Sequence, residues 1–235
     1  MKITAFRDRP AHFPAKQVSG APLKPITQVL LERRATNSFK SDPVPNEYLE
    51  AILWLTAQAP SGYNLQPWRF IVVQDQQNRA RLRKAAMDQT KVGEAPVVVI
   101  AFAIRDEWKT YIEDVFIEGS RRGFGRREKV EAGVKTAASF LNSLPPGAWL
   151  NRHTMIAVTV MMLVAEAYGI DTAPMEGFEP DAVKREFGIP READIIALLA
   201  LGFAKEPDKP YGGRFAIEDF VHQERYGQRW RGENI

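Results

Sequence analysis

The chain has 235 residues, of which 45% are hydrophobic and 26% are charged, an ordinary globular composition with enough length for a sizeable core. It contains no cysteine, which excludes disulfides, thiol nucleophiles, iron–sulfur clusters and cysteine-based zinc sites. The 32 basic and 29 acidic residues leave a net charge of +3, an excess too small to favour nucleic-acid binding.

Metal and membrane sites also lack sequence signals. The three histidines, His12, His153 and His222, lie far apart, and there is no HExxH helix, so we expect no metal site. The longest apolar stretches are well below the roughly 20 residues of a membrane-spanning helix, and the N-terminus has no apolar stretch of signal-peptide length. We therefore expect a cytoplasmic protein without a membrane or nucleic-acid partner.

The first third of the chain alternates helix and strand signals. Residues 1–24 are rich in proline and lack periodicity, which predicts an extended arm. A helix is predicted from Ile26, and a second one from an N-cap at Asn46 to a point near Pro60, because a residue before proline leaves the helical region. The short apolar run Arg69–Val73, bounded by polar turns, predicts a strand.

The most apolar of the predicted strands lies in the middle of the chain. After a predicted helix at Asn78–Met87, the Val- and Ile-rich run Pro96–Ala103 predicts a central strand buried on both faces. Residues 105–127 are charged and dotted with glycine, and we expect either a mobile lid or a solvated basic loop. Helices are predicted at Glu128–Leu144 and at Asn151–Tyr168, the latter buried in the core or in a subunit interface.

The last third predicts a short helix, a strand and a tail. Gly169 is placed to end the long helix, Pro180–Phe187 predicts a helix, and Ile195–Phe203 predicts another buried strand. The aromatic, amphipathic tail at 217–235 has nothing left in sequence to pack on, which favours a position on a partner subunit. Without repeats or a linker, residues 25–235 are expected to form a single α+β domain.

The common nucleotide motifs are missing. No GxGxxG follows a strand, Gly133–Thr136 lacks the glycine that precedes the lysine of a P-loop, and there is no GxSxG elbow. A redox enzyme with this sequence would therefore not hold a nicotinamide on a Rossmann fold.

The most informative segment is residues 59–70, which read Ala-Pro-Ser-Gly-Tyr-Asn-Leu-Gln-Pro-Trp-Arg-Phe. A plain helix-to-strand connection needs only a few turn residues, whereas this one carries the hydroxyl of Ser61 and the amides of Asn64 and Gln66 in a rigid frame. Such a frame suits the polar edge of a flat heterocycle. A rigid turn anchored by Trp68 explains the same residues equally well.

This string resembles the APSxxNxQPW signature of the nitroreductase family, the FMN-dependent homodimeric oxidoreductases. Three further segments agree with that family in order and spacing. Residues 32–39 resemble its opening RRSxRxF, residues 174–178 resemble its PxEGF, and residues 214–221 resemble its closing basic residue and acidic helix. The resemblance extends from about residue 27 to about residue 227, nearly the whole chain.

The resemblance implies a nitroreductase-like α+β fold, with a central mixed, mainly antiparallel sheet flanked by helices, in an intertwined homodimer whose tail embraces the partner. It implies FMN at the subunit interface and NAD(P)H as reductant. Hydride would pass through flavin N5 to nitroaromatics or quinones in a ping-pong cycle, with no side chain essential for catalysis. The same fold would also allow reductive dehalogenation, enone reduction or flavin breakdown, decided around Phe124, or flavin binding without turnover.

Arginine suits the FMN phosphate because its planar fork pairs with phosphate oxygens. The resemblance assigns this role to Arg33, Arg34 and Arg214, although the first two could simply be a cationic helix end. The family usually has a small hydroxyl-bearing residue at the position of Ala35 and a basic residue at the position of Asn37. This chain would therefore lack one hydrogen bond and one charge contact to the phosphate. Asn37 could still donate to the flavin edge.

The remaining site positions also follow from the resemblance. Ser61, Gly62 and Asn64 would reach the FMN of the opposite subunit, in a loop that Pro60 and Gln66 shape. Lys91, and less firmly Asp88, would hydrogen-bond the pyrimidine end of the flavin. A backbone N–H at Gly177, where no Cβ hinders close approach, would face flavin N5. The segment that carries it is Pro174, Met175, Glu176 and Gly177.

Overall fold

The computed structural model describes residues 6–8, 10–145, 147–207 and 209–231. The strands are β1 (Trp68–Val73), β2 (Val97–Ile104), β3 (Asp171–Met175) and β4 (Ala193–Gly202). The helices are α1 (Ile26–Glu32), α2 (Asn46–Thr56), α3 (Gln76–Ala85), α4 (Thr90–Glu94), α5 (Ile112–Arg121), α6 (Val130–Ser143), α7 (Ala148–Ala167), α8 (Pro180–Phe187) and α9 (Ile217–Phe220). Short 3-10 turns occur at Gly62–Asn64, Glu107–Thr110 and Arg127–Lys129.

The four strands form one sheet in the order β1-β2-β4-β3, and every neighbouring pair is antiparallel. A single parallel bridge joins Ala35 to Thr172 on the outer side of β3. The predicted α+β class and the mixed, mainly antiparallel sheet flanked by helices are therefore confirmed. The two outer strands, β1 and β3, are separated by three strand spacings, about 14 Å.

Both faces of the sheet are covered, because the side chains of β2 alternate between two core clusters. Val98 and Ile100 pack with Leu82 of α3 and Val183 of α8 on one face. On the other face, Val97, Val99 and Ala101 pack with Ile52 of α2 and Met161 of α7. This burial on two sides explains the uninterrupted apolar run that predicted a central strand.

The segment 105–127 corrects one of the two alternatives, because it is not a loop throughout; a lid role stays a prediction. It contains a 3-10 turn at Glu107–Thr110 and the helix α5, whose Ile112 and Val115 are buried. Its charged residues lie on the solvent side of an amphipathic helix, so counting charges without their helical phase gave the wrong element.

The sequence patterns did not predict β3 or α4. Pro174 breaks the usual strand pattern, but β3 is an outer strand, where a missing backbone N–H can face away from the ladder. The long helix α7 also begins at Ala148, three residues before the predicted start. By length and composition alone α7 could cross a membrane, a property that core helices share, and here it packs against α2 and the sheet.

Candidate functional site

One group of predicted site residues lies along the outer side of β3. Ala35 bridges Thr172, and the backbone N–H of Thr36 donates to the Thr172 carbonyl at 3.1 Å. From Thr172, β3 continues to Met175, about 10 Å further at the rise of an extended strand, and Gly177 follows two residues after its end. This outer edge therefore connects the segment after α1 to the segment Pro174–Gly177.

Two of the three arginines expected to bind phosphate lie against Tyr211, and the third, Arg33, is the C-cap of α1. The guanidinium carbon of Arg34 lies 5.2 Å from the centre of the Tyr211 ring, and that of Arg214 lies 5.4 Å from it. Arg34 also donates to the carbonyls of Leu31 and Arg33, so it caps the end of α1 as well. Arg34 is therefore a cationic helix end, and it shares one basic patch with Arg214, which lies 180 positions away in sequence. A phosphate-binding role for this patch stays a prediction.

A hydrogen bond from Gln89 holds Gly177, which lies at the opposite end of the β3 edge. Its Nε2 donates to the Gly177 carbonyl at 2.6 Å and to the Ala86 carbonyl at 3.3 Å. A Cβ added to Gly177 would lie 3.3 Å from the same Nε2, so the absence of a side chain permits this close packing. Lys91, half-buried in α4, follows Gln89 by two residues.

The loop before β1 is held in an unusual backbone conformation. Tyr63, Asn64 and Gln66 all have positive φ, at 56°, 56° and 46°, which side-chain-bearing residues rarely adopt. Ser61 Oγ accepts from the Gln66 N–H at 2.9 Å, and Gln66 Nε2 donates to the Asn64 carbonyl at 3.1 Å. The polar side chains of this loop are thus preorganised by bonds among themselves.

The helix α7 supports the same loop from below. A Cβ added to Gly62 would lie 3.1 Å from Trp149 Nε1 and 3.5 Å from His153 Nε2. Burial, and then the charge of Arg152, lower the pKa of His153 below its ordinary value, although a backbone hydrogen bond at Pro60 raises it. His153 is therefore a neutral packing residue beneath the loop.

Arg69 fastens the end of the loop to the next segment of the chain. Its Nη1 donates to the carbonyls of Gln66 at 3.2 Å and Trp68 at 2.7 Å, and its Nη2 lies 2.8 Å from Glu107 Oε2. Both side chains are largely buried, and the Arg69 guanidinium also stacks 5.6 Å from the ring centre of Tyr111. Burial raises the pKa of that tyrosine, partly offset by Arg69.

The structure therefore brings the predicted residues into two groups. Arg34, Ala35, Gly177 and Arg214 lie on the β3 side, whereas the 60–66 loop leads into β1 at the other edge of the sheet. Since β1 and β3 are about 14 Å apart, the loop does not join the β3 group within one chain.

The donor set on the β3 side fits a flat, phosphorylated cofactor. At one end of the β3 edge, the guanidinium groups of Arg34 and Arg214 suit a phosphate. At the other end, the backbone of Gly177 has no Cβ to hinder a flat ring, and Lys91 follows in α4. Two residues with roles here, Gln89 and Tyr211, were missed from sequence. Gln89 lay between the identified Asp88 and Lys91, whereas Tyr211 gave no signal at all.

Three comparisons with known proteins agree. The family model described as the Nitroreductase family matches residues 30–203. An NADH dehydrogenase of Thermus thermophilus is 36% identical over 180 residues, covering 77% of this chain and 87% of the relative. The oxygen-insensitive NAD(P)H nitroreductase of Salmonella typhimurium is 28% identical over 209 residues, covering 83% and 91%.

Solved structures show the same fold. A Bacillus subtilis protein described as a nitroreductase superposes with a TM-score of 0.78 at 28% identity, over 84% of this chain and 97% of that one. An Exiguobacterium sibiricum structure, described as a nitroreductase in complex with FMN, superposes with a TM-score of 0.78 at 24% identity, over 86% and 98%. With a family model that spans most of its length, the chain belongs to the Nitroreductase family.

Proposed function

We propose that the protein is an FMN-dependent oxidoreductase that uses NAD(P)H to reduce electron-poor acceptors such as nitroaromatics or quinones. The observation that carries this proposal is the β3 edge, where Arg34 and Arg214 converge at one end and the Gly177 backbone lies at the other. Related nitroreductases are described as acting with NAD(P)H, and one structure of the same fold is described as a complex with FMN.

In this proposal the phosphate of FMN is held by Arg33, Arg34 and Arg214, with Asn37 donating nearby and Ala35 leaving the segment's backbone accessible. Lys91 stabilises negative charge at the pyrimidine end. The Gly177 N–H could donate to the middle ring of the flavin, because it donates no backbone hydrogen bond within the described ranges. Pro174, Met175 and Glu176 carry that glycine to its position at the end of β3.

FMN would supply two-electron chemistry, accepting electrons from the nicotinamide and returning them to the acceptor. In the overall reaction, NAD(P)H and one proton reduce a quinone to its hydroquinone and leave NAD(P)⁺. Solvent can provide the proton, and we assign no essential catalytic side chain. A nicotinamide reductant is consistent with an activity in the cytoplasm, without a membrane or nucleic-acid partner.

A homodimer completes the site in this proposal. The 60–66 loop, with Pro60, Ser61, Gly62, Asn64 and Gln66, stands about 14 Å from the β3 edge of its own chain, so it would serve the FMN of the partner. The helix α1 and the tail expose large apolar side chains that a second copy would cover, among them Leu31 at 71% and Tyr226 at 93%. The arm at 1–24 would precede a single domain of residues 25–235, which includes the tail that embraces the partner.

The first experiment is the visible spectrum of the purified protein, followed by release of the ligand with denaturant. We expect flavin absorption and about one FMN per subunit, with bleaching when NADH or NADPH is added without oxygen. Sedimentation would give a species of about twice 26.5 kDa. A protein that remains colourless after incubation with FMN, or a flavin that neither nicotinamide reduces, would contradict the proposed function.

A further inference from the structure

The N-terminal arm reaches across the molecule from one end of α7 to the other. In its second half, the Val18 N–H donates to the carbonyl of Tyr168, just beyond the end of α7, at 3.0 Å. In its first half, the half-buried Phe6 packs against a buried cluster that includes Trp149, in the first turn of α7. Since a helix of 20 residues is about 30 Å long, the described part of the arm spans the length of α7.

An ion pair joins the arm to α5. Asp8 Oδ1 lies 2.8 Å from Nη1 of Arg122, the residue that follows the last turn of α5. Nε of the same arginine lies 2.6 Å from Oε1 of Glu118, so one guanidinium connects the arm to the end of this helix. The pair is exposed and contributes little energy by itself, but it sets where the arm crosses α5.

The cluster against which Phe6 packs also supports the 60–66 loop. Its buried members include Leu65 of the loop, which is 1% exposed, and Val115 of α5. Leu65 stands between Asn64 and Gln66, whose left-handed backbone conformations persist only when the surrounding structure holds them. The apolar anchor of this strained loop and the ring of Phe6 therefore belong to one packed unit.

The arm also reaches the loop through α5. The ring centre of Phe116, in the middle of α5, lies 6.3 Å from that of Tyr63 in the loop. Because the arm pairs with the end of the same helix, a shift of α5 would change this ring contact. Both connections from the arm therefore end on the 60–66 loop.

We propose that Phe6 and Asp8 are positioning residues for the cofactor site, because the N-terminal arm holds α5 and the 60–66 loop in the conformation that receives the flavin of the partner. The inference rests on the function proposed above, which assigns that loop to a flavin. Neither side chain is given a contact with the cofactor, so each acts through the loop that it supports. The family model begins at residue 30, so this support comes from outside the part of the chain that the model matches.

The test compares two phenylalanines of the arm. Phe6→Ala removes the ring from the cluster and leaves the loop itself unchanged. Phe13→Ala is the matched control, because Phe13 is also half-buried but has its ring centre 5.1 Å from that of Trp54 in α2 and packs against a different cluster. Backbone hydrogen exchange is measured on the full-length protein with and without FMN. FMN affinity, the visible circular dichroism of the bound flavin and urea unfolding are then measured for the same proteins.

We expect Phe6→Ala to increase exchange about tenfold in residues 61–66 and in α5, because weaker packing lets this unit open locally. FMN affinity should fall about threefold, since a less ordered loop loses more freedom on binding, and the circular dichroism of the flavin should change. Phe13→Ala should leave exchange in both segments within about twofold of the wild type and FMN affinity unchanged, although its loss of global stability is similar.

Equal effects of Phe6→Ala and Phe13→Ala on the loop, or increased exchange confined to the arm, would overturn the inference. So would an unchanged FMN affinity and flavin spectrum in a Phe6→Ala protein whose loop exchanges faster. Failure of the proposed function looks different, because a wild-type protein that binds no FMN would contradict that function, while the exchange of residues 61–66 would still show whether the arm supports the loop.

Discussion

Gln89 Nε2 donates a 2.6 Å hydrogen bond to the carbonyl of Gly177, a residue 88 positions further along the chain. The bond ties the turn before α4 to the segment that leaves β3. A Cβ at position 177 would lie 3.3 Å from the donor, so a side chain there would make the Gln89 amide shift. One amide therefore fixes the backbone that the proposed function places against the flavin.

Replacing Gln89 with methionine keeps the size of the side chain and removes the donor. We expect FMN affinity to fall about fivefold, in line with the roughly 1 kcal/mol of a neutral hydrogen bond, because the Gly177 backbone gains freedom. The measurement is flavin fluorescence titration of the apoprotein. Gln58→Met is the control, since Gln58 is exposed and its amide donates to the Trp54 carbonyl of the preceding helix α2. Equal losses in the two variants would refute a positioning role for Gln89.

The basic patch around Tyr211 should recognise phosphate and not the flavin ring. Arg214→Gln is expected to weaken FMN binding about tenfold, the scale of one charge-assisted hydrogen bond, while leaving riboflavin affinity unchanged because riboflavin has no phosphate. Both affinities come from the same fluorescence titration. Arg191→Gln, an exposed arginine beyond α8, should change neither. A parallel loss of riboflavin affinity would show that Arg214 acts on the fold.

The contact between Arg69 and Glu107 should matter for stability. Arg69→Met removes the guanidinium that lies 2.8 Å from the largely buried carboxylate of Glu107, and we expect a loss of about 3 kcal/mol in the free energy of unfolding, measured with urea. The double variant R69M/E107L should cost less than the sum of the single ones, because no charge then remains buried. Additive losses would mean that the two side chains are not coupled.

His153 should make stability depend on pH below neutrality. Its folded pKa is lowered, chiefly by burial, so the unfolded chain binds more protons as the pH falls through the ordinary histidine value of about 6.5. The stabilising contribution of neutral His153 is present above that pH and is lost as the pH falls toward the folded pKa. Unfolding in urea at pH 7.5 and about pH 5.5 should show a smaller drop for His153→Gln than for the wild type.

Much of the fold could be predicted because its elements carry local signals. β2 is an uninterrupted apolar run, and α8 begins at Pro180 and ends before Gly188, whose φ of 64° suits glycine. By contrast, α5 was not predicted as a helix, since its charges outnumber its buried side chains and only the packing of Ile112 and Val115 reveals its inner face.

Some residues of the candidate site could likewise be predicted from local motifs, and others could not. Residues 59–66 and 174–177 were identified from contiguous motifs, because glycine, proline and short amides impose their backbone requirements locally. Gln89 and Tyr211 were not identified, because each acts through one contact with a residue far away in sequence. Nothing in the neighbouring residues of either one signals that contact.

The sequence by itself determined the family, the absence of cysteine chemistry, the central strand and the motifs of the site, all of which depend on residue type and short spacing. Only the tertiary structure decided that Arg34 and Arg214 converge on Tyr211 and that the 60–66 loop stands at the far edge of the sheet. The physical reason is strand order: the sequence β1-β2-β4-β3 puts distant segments side by side, and no local preference encodes that order.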